Sequence, residues 1–399
     1  MIGVSRLFAA PSPGLSDHLD CFGELPTTTT ELISAVEASG LTGRGGAGFP
    51  TGRKMASIAG AKPVVIGNGA EGEPLSRKDA TLLSRAPHLV LDGLDAAAAA
   101  IGAAKVYLYV HPDAAAPVAD ALAERRAAGL GRHQVIVTAA PDRFVAGEES
   151  AAIRHIEGGP ALPRDHTVVS SVAGVRGRPT LVNNVETLAH IALIARYGPE
   201  WFGSVGDPQE PGTMLVTVSG ALDHAIVEIP TGLPLGDLLA WAGNRRAPSA
   251  VLIGGYHGTW LSPAEFRIAR LSRSALTPLG ATPGAGIVHA LDRTECGLSR
   301  TAEIAGYLAD QSARQCGPCF NGLPRLAALL DELAFGRASD DVIREIRRIV
   351  RLVDGRGSCR HPDGTARMVR SALRTFAADI TLHNRRRCAA AEPSVTPMR

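Results

Sequence analysis

Three short runs of apolar and β-branched residues, 62–68 (KPVVIGN), 105–110 (KVYLYV) and 134–140 (QVIVTAA), alternate with helical stretches around 86–103 and 113–129. Gly, Pro or charged residues bound each run. Such an alternation leaves few folds open. It predicts an α/β domain built on a parallel sheet with helical crossovers. Sheets of this kind bind ligands at the carboxyl ends of their strands, so the loops that follow the runs are where chemistry is sought.

The pattern then changes twice. After a turn-rich break at 206–212 (GDPQEPG), the segments TMLVTVSGAL, AIVEIPTG, LPLGDLLAWAG and SAVLIGG read as two tightly joined strands, a helix and a further strand, a small α+β module. From about residue 300 the β signals vanish. Segments 301–315, 320–335, 340–354 and 363–382 carry apolar residues at three- and four-residue spacing, as in Ile343, Ile346, Ile349, Val350 and Val353, which predicts a helical bundle. The divisions are 1–206, 207–295, 296–385 and a tail, 386–399, expected to fray from Arg385 onward.

Composition narrows the classes further. The 399 residues suggest two or three domains, and 45% hydrophobic with 20% charged residues exclude a disordered chain. With 41 basic against 39 acidic residues there is no excess charge for a nucleic-acid surface. Lys occurs only at 54, 62, 78 and 105, the other basic residues being Arg. No apolar run reaches the ~18 residues of a spanning helix, and the opening MIGVSRLFAAPSPGLSDHLD lacks the pattern of a secretory signal. No direct membrane insertion is expected. Six cysteines in a chain this long do not make a disulfide framework, and the expected compartment is the cytoplasm.

Residues 40–54 read GLTGRGGAGFPTGRK. Gly40, Gly43, Gly45, Gly46 and Gly48, followed by Pro50, Thr51 and Gly52, cannot form a regular helix or strand. Glycine admits positive φ and lets backbone N–H groups converge on an anion. A short helix from Arg53 to Gly60 would add the positive end of its dipole, and Lys54 a whole charge. The composition is that of a phosphate cradle, although it is neither a GK[ST] loop nor a clean GxGxxG. Taken alone, such a loop is more often a surface loop. Three further segments share its setting: NGAEGEPLSRKD (68–79) after the first strand, GEES (147–150) after the third, and PTLVNNVET (179–187). Each by itself reads as a cap or turn. Together they place acid and amide pairs where one pocket could gather them.

These motifs, GRGGAGFPTGRK (43–54), EGEP…KD (71–79), GEES (147–150) and GRPTLVNNVET (177–187), resemble in type and order the flavin-binding, 51-kDa-type subunit of respiratory NADH:quinone oxidoreductase. They equally resemble its relatives in NAD-linked hydrogenases and formate dehydrogenases. The resemblance covers nearly the whole chain. It implies FMN as cofactor, with Gly43, Arg44, Gly45, Gly46 and Lys54 on the phosphate side. Asn68, Glu71, Glu148, Asn183 and Asn184 would face the flavin, and Glu73 and Glu149 the dinucleotide, with Phe144, Gly147 and Thr187 in the same segments. Departures fall mostly on the dinucleotide side. Ala70 replaces an acid, Ser57 stands where a Phe is usual, Phe144 where a Tyr is usual, and Val169 falls where a Pro-Phe-Pro segment would be. The middle module resembles a β-grasp, soluble-ligand-binding type (SLBB-like) unit, and implies a spacer between the flavin and cluster domains.

Cys316-Gly317-Pro318-Cys319 matches the dithiol pattern of thioredoxins, but that pattern needs a preceding strand, and TAEIAGYLADQSARQ is helical in pattern. Two thiols three apart with Cys359 forty residues on suit a metal or iron–sulfur site; three unrelated buried cysteines are the alternative. The resemblance implies a [4Fe–4S] cluster on Cys316, Cys319 and Cys359, with Ala313 standing where the first of four cysteines belongs. A non-cysteine ligand such as His361, an open iron, a three-iron cluster or no assembled cluster are then the options. Cys296 has no family counterpart, and Cys21, Cys296 and Cys388 have no assigned role.

The implied activity is oxidation of NADH by hydride transfer to FMN. Electrons would then pass singly through the cluster to a ferredoxin-like or thioredoxin-fold iron–sulfur subunit. The alternatives are a diaphorase-like or non-NADH flavoprotein subunit with a degenerate or absent cluster, and a non-catalytic scaffold of a larger complex.

Overall fold

The computed structural model describes residues 5–165, 168–243, 247–335 and 339–391. Its first sheet is formed by β1 (Val64–Gly69), β2 (Lys105–Val110), β3 (Val135–Ala139) and β4 (Thr180–Asn184), parallel throughout and ordered β3-β2-β1-β4. The three expected strands are present. β4 lies inside a segment singled out for its polar residues, where only the Leu-Val pair signals a strand. Because β1 is flanked by β2 on one side and β4 on the other, the connections leave the sheet in opposite directions between β1 and β4. The carboxyl ends at such a switch point form a crevice. Asn68 of β1 and Asn184 of β4 are register partners there.

Helices Pro87–Ile101 and Val185–Gly203 cover one face of the sheet and pack closely on each other. A Cβ on Gly93 would lie 1.8 Å from the Leu188 carbonyl oxygen, so the crossing needs glycine there. Asp92, one position earlier, is buried among an imidazole and two guanidinium groups: His18 at 2.8 Å, Arg125 at 2.8 Å, and Arg196. Burial works to raise its carboxyl, but the His18 hydrogen bond and the two guanidinium groups outweigh it and hold the group below the usual carboxylate range.

A two-residue ladder of β5 (Gly206–Asp207) with β6 (Glu210–Pro211) fills the expected break. The second sheet contains β7 (Thr213–Gly220), β8 (Ala225–Pro230), β9 (Ala250–Ile253), β10 (Thr259–Leu261) and β11 (Ile287–Leu291), ordered β10-β9-β11-β7-β8. Only β11 and β7 pair in parallel. Helix Leu235–Trp241 follows the first hairpin, as a β-grasp arrangement requires. Trp260 of β10 is fully buried against Phe376 of the bundle, with ring centroids 5.3 Å apart, and its amide donates to Ser371 Oγ at 2.9 Å. The module is therefore wedged against the bundle.

The bundle comprises helices Gly297–Asp310, Leu323–Ala334, Asp340–Val353, His361–Thr375 and Ala377–Asn384. The single helix expected over 363–382 is broken at Phe376, whose φ of −101° and ψ of 26° leave the helical region. A π-turn at Pro318–Gly322 precedes Leu323–Ala334. The chain turns back after helix Ala377–Asn384 instead of fraying from Arg385: the amides of Arg385 and Arg387 both reach the Leu382 carbonyl, at 2.8 and 3.0 Å. The rest of the expected tail, 392–399, lies outside the described residues. No described helix is long and apolar enough to cross a membrane.

Candidate functional site

At the β1/β4 switch point lies a cleft of about 1210 Å³, walled by all three modules. Its floor is the glycine loop. Gly46 and Gly48 have φ of 107° and 65°, the left-handed region that glycine enters without strain. The loop is tied down from two directions. The Arg44 amide donates to Thr187 Oγ1 at 2.9 Å, and Arg273 of the β-grasp module donates through Nη2 to the Gly46 carbonyl at 3.1 Å. A Cβ on Gly45 would stand 3.2 Å from the Asn184 Cβ. The following helix is Thr51–Ala56, shorter than expected.

Of the residues singled out in the sequence, Gly43, Gly45, Gly46, Lys54, Asn68, Glu71, Glu73, Phe144, Gly147, Glu148, Glu149, Asn183, Asn184 and Thr187 all line this one cleft. Arg44 does not. Its side chain is buried away from the cleft, Nη1 contacting Thr42 Oγ1 at 3.1 Å and Glu210 at 3.5 Å and Nη2 the Pro211 carbonyl at 3.2 Å. The guanidinium braces the loop from behind, because the two glycines after it turn the backbone rather than the side chain toward the cleft.

The acids divide between internal caps and cleft groups. Glu71 accepts from the Ser76 hydroxyl and from the amides of Asp79 and Ala80, at 3.1 and 3.2 Å, at the start of helix Lys78–Arg85. Glu148 accepts from the amides of Ser150 and Ala151, at 2.9 and 3.0 Å, capping helix Glu149–Ile156. Glu149 instead accepts from Lys54 Nζ at 2.7 Å and from the Ser170 hydroxyl. Glu73 reaches across to the β-grasp module and accepts from the Tyr256 amide at 2.8 Å; burial pushes its carboxyl up to about 7 despite that hydrogen bond.

Two of the amides are held by one part-buried network. Asn68 Nδ2 donates to the Gly147 carbonyl at 2.9 Å, and Asn184 Nδ2 to Asp79 Oδ2 at 2.7 Å. Asn183 is different: it is buried, lines the cleft, and its Nδ2 has no partner. Lys78 falls within the 68–79 motif, but nothing in the sequence gives it a role of its own. Its ammonium is buried between Asp79 at 2.6 Å and Glu186 at 2.9 Å. Burial works to lower its pKa, but Asp79, Glu186 and Glu71 prevail and keep it above the ordinary lysine value. Asp79 and Glu186 likewise fall within quoted motifs without a role of their own, and Arg273 lies outside them. A lone acid on a helix, or one Arg among many, carries no sequence signal of convergence.

On the bundle side, Phe144 packs edge-on to His257, with centroids 4.7 Å apart, and to His361 at 5.5 Å. The two imidazoles are 3.1 Å apart, His257 Nε2 to His361 Nδ1, and His361 Nε2 donates to the Leu308 carbonyl at 2.7 Å. Both ring nitrogens of His361 are therefore engaged inside the protein, which disfavours it as a fourth cluster ligand. Cys319 and Cys359 are buried and Cys316 half-buried. Burial, with Cys316 and Cys359 adding to it, pushes the Cys319 thiol up to about 12. Burial also raises the Cys359 thiol, with Glu148 adding to it; Arg360, the next residue, lines the cleft.

The donor sets fit the groups they would hold. An unpaired buried amide facing a glycine-floored cleft suits a flat, hydrogen-bonding ring system with a phosphate tail. Three gathered thiols suit an iron–sulfur cluster, lacking one protein ligand at Ala313. Fold and site thus define an α/β nucleotide-binding protein joined to a thiol-bearing helical domain.

Comparison with known proteins gives the particular family. Residues 36–193 match the Nuo51 FMN-binding domain, and residues 299–383 the NADH-ubiquinone oxidoreductase-F iron-sulfur binding region. The chain is 31% identical to the second of the NADH-quinone oxidoreductase F-subunits of Rhizobium meliloti (strain 1021), over 90% of each chain. It is 32% identical to the NADH-quinone oxidoreductase F-subunit of Mycobacterium tuberculosis (strain ATCC 25618 / H37Rv), over 88% of this chain and 84% of that one. Among solved structures, a chain of the NAD+-reducing [NiFe]-hydrogenase in its H2-reduced state superposes with a TM-score of 0.81 at 30% identity. That match covers 88% of this chain but only 62% of the hydrogenase chain. The chain belongs to the family of NADH-quinone oxidoreductase F-subunits.

Proposed function

We propose that this protein is the FMN-carrying, NADH-oxidising electron-transfer subunit of a larger complex, with the cleft as its FMN site. Bound FMN would supply the redox chemistry, taking a hydride from the nicotinamide and releasing electrons one at a time. Backbone amides of residues 43–48 and Lys54 Nζ would bind the phosphate, and Asn183 Nδ2 would donate to the ring. Glu73 and Glu149 would meet the dinucleotide. Residues of the β-grasp module and the bundle form the far wall.

The observation that carries this reading is the adjacency of cleft and thiols: Arg360, next to Cys359, lines the same cleft as the glycine loop. Cys316, Cys319 and Cys359 would hold the cluster that accepts the electrons. A ferredoxin-like or thioredoxin-fold iron–sulfur subunit is the proposed partner, and the cytoplasm the proposed location. The positions where aromatic residues are absent, Ser57 and Val169, also line the cleft, so a weaker hold on the dinucleotide than on FMN is expected.

The test is anaerobic addition of NADH to FMN-loaded protein. Bleaching of the flavin band is expected. A flavin that stays oxidised with NADH, yet bleaches with dithionite, refutes the donor assignment.

A further inference from the structure

Cys296, His383 and Cys388 belong neither to the cleft nor to the other cysteine trio. Cys296 immediately precedes helix Gly297–Asp310, and His383 sits in the last turn of helix Ala377–Asn384. Cys388 follows a turn that folds back on that helix: the Arg386 amide donates to the His383 carbonyl at 2.9 Å, and Arg386 itself takes a φ of 57°. The turn returns the chain over His383. As a result one ligand atom from each of the three residues lies within 4.8 Å of the other two.

The spacing within the trio is informative. Cys296 Sγ is 3.4 Å from His383 Nε2. A thiolate sulfur at about 2.3 Å and an imidazole nitrogen at about 2.0 Å from one tetrahedral zinc ion would stand about 3.5 Å apart. The observed pair is within a few tenths of an ångström of that value. His383 is buried and both cysteines are half-buried, so the ligand atoms are partly screened from water. Asp379, one turn before His383 on the same helix, interacts electrostatically with the ring.

We propose that Cys296, His383 and Cys388 form a Cys2His site for a thiophilic divalent cation, zinc being the best fit, distinct from the cysteines assigned to the iron–sulfur cluster. Two thiols would each release a proton on binding, and the two thiolates balance the charge of the dication. The imidazole binds as the neutral ligand, and water completes the tetrahedron. The site would clasp residues 385–388 to the start of the first bundle helix. It does not depend on what the cleft binds.

The test uses the full-length protein, reduced and freed of metal with chelator, then given one equivalent of zinc sulfate. Alkylation is followed by peptide mass spectrometry, which reads each cysteine separately. Zinc should protect Cys296 and Cys388 together, and Cys388→Ser should abolish the protection of Cys296 without changing the thermal transition of the metal-free protein. His383→Ala should do the same, and keeps the test open if Cys388→Ser fails to fold. Equal alkylation of Cys296 and Cys388 with and without zinc overturns the proposal. So does a Cys296–Cys388 disulfide that persists under reducing conditions and takes up no zinc.

Discussion

Lys54 and Glu149 meet on the wall of the cleft, Nζ to Oε2 at 2.7 Å, joining the helix after the glycine loop to the helix after β3. Lys54 also donates to the Val182 carbonyl at 2.7 Å, on the strand that carries the paired amides. One ammonium thus ties together three segments far apart in sequence. It is also the charge nearest to hand for a phosphate on the loop.

Replacing Lys54 by Met should therefore weaken FMN binding while sparing the fold, since both partners are partly exposed. Loss of a charge-assisted hydrogen bond is worth about 1.5–3 kcal/mol, or about 10- to 100-fold in affinity. Quenching of flavin fluorescence on titration reads this directly. An unchanged affinity would remove Lys54 from the phosphate site.

Asn183 should show the opposite balance. Its unpaired buried Nδ2 costs about 1–3 kcal/mol in the ligand-free protein. Asn183→Leu is expected to leave the ligand-free melting temperature unchanged or raised, and to lower FMN affinity at least about tenfold. A variant that binds FMN as well as the parent would show that the amide serves packing alone.

Lys78 carries the largest structural penalty. Lys78→Met strands Asp79 and Glu186, both buried, without their cation. A destabilisation of about 3–5 kcal/mol is expected, visible as a lower denaturant midpoint even without FMN. A shift below about 1 kcal/mol would mean that the two carboxylates find other partners or take up protons.

Much of this arrangement was legible in the sequence. The strand runs of β1, β2 and β3 stand out because β-branched residues cluster between breakers, and the motif segments converge because parallel strands put their loops on one edge. Other parts were not legible. The Leu-Val pair of β4 is too short to announce a strand beside two asparagines. Nothing in sequence tells that Glu71 and Glu148 spend their oxygens on helix caps while Glu149 and Glu73 do not. The family resemblance implies Arg44 as a cleft residue, yet side-chain direction in an irregular loop has no periodicity to reveal it. The break at Phe376 and the return of Cys388 to Cys296 depend on tertiary packing alone.

Burial pushes the Glu228 carboxyl up to about 7, against hydrogen bonds from Thr213 and from the amides of Arg6 and Leu7. A carboxyl whose folded pKa lies above its unfolded value contributes stability that is full below the unfolded pKa and lost as pH rises through the folded one. Stability should therefore fall between about pH 5 and pH 8, a window that Glu73 shares. Glu228→Gln should remove its part of the slope and be the more stable protein at the alkaline end. Asp92 acts in the other direction, its contribution being lost as the pH falls below the ordinary carboxylate range. Denaturant midpoints across pH, parent against variant, check the sign; parallel curves would show that Glu228 does not titrate in this window.

The missing thiol at position 313 makes the cluster site testable by addition as well as removal. Ala313→Cys should raise the iron and sulfide retained per chain after anaerobic purification, and Cys319→Ala should lower it. Equal iron in the parent and Cys319→Ala would show that these cysteines hold no cluster.

If the glycine loop, the acid pair and the amide pair close around one flavin nucleotide, the flavin-free protein should bind FMN at a single site. Titration with FMN, followed by fluorescence quenching, tests this most directly. Saturation at one FMN per chain is expected, weakened in Lys54→Met and in Asn183→Leu. Quenching that never saturates, or saturates identically in the parent and both variants, would contradict it.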